Sequence, residues 1–174
     1  DGSKWDGNND GDENADDYTW NVPLYAPATG HVAACWRSAP NNLKQGGDNH
    51  HPEYPDKIFQ GGNHMVILTD EGNTISLNHL KQNSIPASLC PSNPDGTLYP
   101  STMTKQGKWR IASYIDAADR PRVFEGLFIG RAGNSGQSSG PHLHISMKRV
   151  TGTDGYGRET LSGPIPLPLR HSWA

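Results

Sequence analysis

His64-Met65-Val66-Ile67-Leu68-Thr69, Asp70-Glu71-Gly72-Asn73, then Thr74-Ile75-Ser76-Leu77-Asn78-His79-Leu80 is the stretch that decides the fold. The first run is rich in β-formers, the second carries turn chemistry, and the third alternates apolar and polar residues with the period of a strand, so the spacing predicts a β-hairpin. Upstream, Pro23–Ala26 and His31–Trp36 flank Pro27-Ala28-Thr29-Gly30 and predict a second tight hairpin. Downstream, Gly126–Gly130 and His142–Met147 are two more strands with a Gly/Ser-rich turn between them. Short strands without helical patterns of 10–15 residues between them predict an all-β, mainly antiparallel domain.

Composition agrees. The 20 glycines and 14 prolines among 174 residues disfavour long helices, and the length fits a single domain over residues 1–174. Two polar segments rich in Pro, Asn, Gly and Ser, 37–62 and 81–122, read as long loop insertions. The proline-alternating end, Gly163–Arg170, reads as extended edge structure. No apolar run reaches the length of a membrane span and the first residues, Asp1-Gly2-Ser3-Lys4, do not read as a basic and apolar leader, so neither a span nor a signal peptide is expected in the sequence given. The net charge of −3 conceals an acidic start, with seven acids against Lys4 in residues 1–17, and leaves too little basic excess elsewhere for nucleic-acid binding. Cys35 and Cys90 lack the spacing of a zinc knot or a thioredoxin-like motif, which leaves one disulfide or two free thiols; pairing is expected.

Chemistry concentrates at the histidines. In a strand, His142 and His144 project from one face about 6–7 Å apart, where one imidazole can bind a metal while the other carries protons. Half-exposed strand histidines are the bland alternative. His31, His50, His51, His64 and His171 are read as surface or strand positions, and Trp36, Trp109 and Trp173 as packing residues. Asp6, Asn8, Asp10, Asp12, Asn14 and Asp17, with Gly11 between, space oxygen donors as a calcium loop does, differing from an EF-hand in the final Asp. Calcium binding and a solvated acidic turn both remain open here.

Gly130-Arg-Ala-Gly-Asn-Ser-Gly-Gln-Ser-Ser-Gly-Pro-His-Leu-His144 resembles the signature of the lysostaphin-type (LytM-type) zinc metallopeptidases, Gly-x-x-Gly-x-(Ser/Thr)-Gly-x-(Ser/Thr)-x-Gly-Pro-His-Leu-His. Val22–Val32 resembles the family's early hairpin, and Gly62–Ile67 followed by Asn78-His79-Leu80 resembles the segment ending in its Tyr-x-His-Leu motif. The matches run in order over roughly residues 22–147. The resemblance implies the family's duplicated hybrid motif with a grooved sheet, zinc bound by His144, and His79 and His142 acting on water and stabilising the oxyanion. It also implies a ligand Asp, for which Asp1 is the candidate, and a His three or four residues before it, so the chain is expected to be cut short at its N-terminus. Leu77 stands where the family has Tyr.

The implied activity is zinc-dependent hydrolysis of peptide bonds in peptidoglycan stem peptides or cross-bridges, outside the cell or in the periplasm. The rival reading is a non-catalytic cell-wall-binding or regulatory module of the same fold with an incomplete metal site. A calcium-dependent adhesion domain built on residues 6–17 ranks third.

Overall fold

The computed structural model describes residues 14–15, 17–43, 61–91, 114–155 and 159–167. Strands are β1 (Pro23–Tyr25), β2 (Gly30–Trp36), β3 (Asn63–Thr69), β4 (Asn73–Leu80), β5 (Arg122–Val123), β6 (Phe128–Arg131), β7 (His144–Thr153) and β8 (Glu159–Ile165). All pairings are antiparallel: a six-stranded sheet in the order β5-β2-β3-β4-β7-β8, and a two-stranded ribbon of β1 with β6. Helix is confined, among the described residues, to 3-10 turns at Ala87–Leu89 and Ala117–Asp119. The chain is therefore all-β.

The expected β3–β4 hairpin is present, with Leu68 opposite Thr74 and Gly72 taking a left-handed φ of 78° in the turn. The expected β1–β2 hairpin is not. β1 pairs with β6, whereas β2 pairs with β3 and β5, so Pro27-Ala28-Thr29 carries the chain from ribbon to sheet. Gly163-Pro164-Ile165, the start of the proline-alternating end, close the edge strand β8, in which Pro164 sits opposite Lys148 and costs no further ladder bond, while residues 168–170 lie outside the described residues.

Alternation separates the two faces of the sheet. Val32, Cys35, Met65, Ile67, Ile75 and Leu77 form the core with Ile129 of the ribbon, and Leu143, Ile145 and Met147 pack against it. The segment read as a polar insertion from residue 81 contributes Ile85, Leu89, Cys90 and Ile115 to this core. Cys35 and Cys90 form a disulfide, as expected, which fastens that segment to β2. Trp36 is buried, while Trp109 and Trp173 lie outside the described residues. No helix among the described residues is long and apolar enough to cross a membrane.

Candidate metal centre

The face of the sheet opposite the core carries a cleft of ≈ 580 Å³. Its floor follows from register: Asn78 opposes His144, Ser76 opposes Ser146 and Thr74 opposes Lys148, and all six line the cleft with His79, Val66 and Leu161. The alternation that sends Ile145 and Met147 into the core sends His144, Ser146 and Lys148 here.

Strict alternation would place His79 on the core face with Ile75 and Leu77. A bulge intervenes. The β3–β4 register slips between Asn63/Leu80 and Met65/Leu77, and His79 adopts φ 63°, a left-handed conformation uncommon outside glycine. The extra residue turns His79 into the cleft and returns Leu80 to the core, where it is fully buried.

A buried hydrogen-bond set holds this bulge. Asn63 accepts from the Ala39 N–H (2.7 Å) and donates to the carbonyls of Ala39 (2.8 Å) and Leu80 (3.1 Å). The Ser135 hydroxyl donates to the Leu80 carbonyl (2.7 Å) and accepts from the Asn63 N–H (2.9 Å). Gly62, at φ 57°, passes so close that a Cβ there would lie 2.4 Å from the Ser135 carbonyl carbon. Glycine is required by both conformation and contact.

The Ser135 carbonyl lies 2.8 Å from His79 Nδ1. A carbonyl only accepts, so Nδ1 carries the proton and Nε2 presents its lone pair. His142 repeats the device, with Nδ1 donating to the Gly140 carbonyl at 2.8 Å. It lies just before β7, in an isolated bridge to Gly133, rather than within a strand shared with His144. The His79 ring centroid is 4.6 Å from that of His142 and 5.8 Å from that of His144. One ligand nitrogen from each of the three lies within 4.8 Å of the others. Burial pushes the pKa of His79 down to about 4 against the opposing Ser135 bond, and His142 and His144 add to the fall. The ring is neutral at neutral pH and available as a base or ligand.

Three imidazoles whose ligand nitrogens converge, two of them oriented through Nδ1 by backbone carbonyls, are a donor set that suits zinc. No other such group of His, Cys, Asp or Glu meets among the described residues. Asp1, Asp6, Asn8, Asp10 and Asp12 lie outside the described residues, as do His50, His51 and His171. Asp17 is described: its Oδ1 accepts from the Thr19 N–H at 2.8 Å and from the Thr19 hydroxyl, a turn-forming role. Asn14 is buried, donating to the Asn42 carbonyl (2.6 Å) and accepting from the Asn134 amide (2.7 Å). That carboxamide faces the Gly130–Pro141 loop and its neighbours rather than an ion. His64 donates through Nδ1 to the Gly62 carbonyl (2.8 Å), and burial lowers its pKa. His31 accepts from Arg122 at 3.3 Å. Neither joins the centre.

Sequence reading missed Asn63 and Ser135 as positioning residues. Both were within quoted motifs, and a polar residue amid buried strand positions was the available signal.

Neither a family model nor a curated protein matches the sequence. Solved structures do. The chain is similar to the catalytic domain of the antimicrobial peptidase lysostaphin from Staphylococcus simulans at 15% identity and a TM-score of 0.40, over 82% of this chain and 68% of that one. It is similar to lysostaphin in solution at 16% identity and a TM-score of 0.39, over 80% of this chain and 36% of that one. It is also similar to a point mutant of the catalytic domain of the prophage-encoded M23 protein EnpA from Enterococcus faecalis, at 17% identity and a TM-score of 0.40, over 81% and 67% of the two chains.

Proposed function

We propose that this chain is a zinc-dependent metalloendopeptidase that hydrolyses peptide bonds in peptidoglycan cross-links. The observation that carries the reading is the convergence of His79, His142 and His144, with His79 and His144 lining one end of the cleft. The Gly130–His144 motif supports it, and the disulfide suits an oxidising compartment such as the bacterial cell exterior or periplasm.

His144, with Asp1 as a candidate second ligand, would hold zinc, which supplies polarisation of the scissile carbonyl and acidification of water when bound. His79 and His142 handle the proton. With each Nδ1–H committed to a carbonyl, each Nε2 is an acceptor in the resting state. Nε2 takes a proton from the attacking water, and only then, as imidazolium, donates to the developing oxyanion or the departing amine. The fixed rings keep both nitrogens aimed without reorganisation.

Incubating the zinc-supplemented protein with purified peptidoglycan and titrating newly exposed amino groups tests the proposal. Amine release that a chelator abolishes and zinc restores is the expected result. Zinc binding without amine release would overturn it in favour of the non-catalytic module.

A further inference from the structure

The cleft extends well past the histidines, and its far end is cationic. Along β7 the residues facing it are His144, Ser146 and Lys148. Four residues of strand place Lys148 about 13 Å from His144. Among the described residues the lining contains no Asp or Glu, and Lys148 is its one permanently charged side chain. Among the described residues the ion pairs are Arg120 with Glu159 and Arg122 with Asp70, so no described carboxylate neutralises Lys148. Lys148 is half-buried, opposite Thr74 in a cleft that Leu161 also lines, and the path to it from His144 is paved with the hydroxyls of Ser76 and Ser146.

We infer that Lys148 forms a carboxylate subsite: the cleft takes an extended peptide bearing a free carboxylate about four residues from the bond held over the histidines. An extended peptide advances about 3.3–3.6 Å per residue, so four residues span the distance. The hydroxyls between can meet peptide groups on the way, and the Lys148 ammonium can meet the carboxylate in a charge-assisted hydrogen bond. The inference rests on the peptidase reading for its register, but Lys148 recognition is measurable without catalysis.

The probes are three N-terminally labelled tetrapeptides: tetra-alanine with a free C-terminal carboxylate, tetra-alanine with a C-terminal amide, and tri-alanyl-glutamate with a C-terminal amide. Fluorescence anisotropy on the zinc-supplemented full chain gives the affinities. The parent should prefer the carboxylate over the amide by about tenfold, the scale of one charge-assisted hydrogen bond in a partly desolvated site. Lys148→Met should bring the ratio to near one, and Lys148→Arg should retain most of it. Recovery of affinity by the glutamate peptide identifies a side-chain carboxylate as sufficient; its failure assigns the subsite to the chain terminus. Equal binding of carboxylate and amide by the parent, no binding of either, or discrimination surviving in Lys148→Met would overturn the inference. Discrimination without peptidoglycan hydrolysis would leave the subsite standing and remove the peptidase, whereas hydrolysis without discrimination would do the reverse.

Discussion

The two ends of the cleft are built differently. At the histidine end a residue sits in left-handed backbone on a bulge, and Asn63, Ser135 and the Leu80 carbonyl lock that bulge from behind. At the Lys148 end the β4–β7 floor is a regular antiparallel ladder with side chains in simple alternation, and the irregularities fall on the outer β7–β8 pairing, between Lys148 and Val150 and between Val150 and Gly152. Geometry at the first end is over-determined by buried polar bonds, as proton transfer requires; the second end can change its side chains without changing its backbone. The difference suggests that chemistry and selectivity can be altered independently.

Disrupting the histidine end should cost most. Reducing Cys35–Cys90, which closes a span of 55 residues and secures β2 at this end, should destabilise the fold by about 4 kcal/mol on the chain-entropy model. Urea unfolding with and without reductant measures it. Asn63→Leu keeps shape but abandons the Ala39 N–H and carbonyl, and should cost about 2–4 kcal/mol. An unchanged unfolding midpoint would show that Asn63 does not hold the bulge.

The Lys148 end should respond less. Its outer strand β8 begins at Glu159, which accepts from Arg120 at 2.6 Å and from Tyr114. Burial would raise the Glu159 carboxyl, but the Arg120 and Tyr114 bonds outweigh it and hold the pKa below its ordinary 4.5. A depressed carboxyl pKa gives stability that is full above the unfolded value and is lost as pH falls through the folded one. Glu159→Gln should therefore lower stability at pH 7 by about 1 kcal/mol, since the glutamine carbonyl can still accept from Arg120, and the gap to the parent should close below pH 4.5. Melting temperatures across pH 3–7, a range of about four decades in proton activity, report the effect. A gap that stays constant would remove the carboxylate from the explanation.

The contrast also governs what could be read in advance. Period-two patterning made β3, β4 and the inward face of β7 legible, because alternation is a local property. The partner of β1 was not, since β6 lies about a hundred residues away and no local rule favours it over β2. His79 looked like a cleft residue only through the motif; its alternation said core, and the bulge that reverses this depends on Asn63 and Ser135, distant in sequence. The acidic segment had a strong local pattern, yet Asn14 within it serves the loop that carries Ser135. Lys148 lies just past the strand expected over His142–Met147 and acquired meaning only when register set it opposite Thr74.

The central claim is that the anchored histidines move protons while His144 serves the metal. The most direct measurement pairs turnover with zinc content in His79→Ala and His142→Ala. Each variant should retain zinc and lose at least ~10²-fold in the rate of amine release from peptidoglycan. Full activity in either variant, or loss of zinc from both in step with activity, would contradict the assignment.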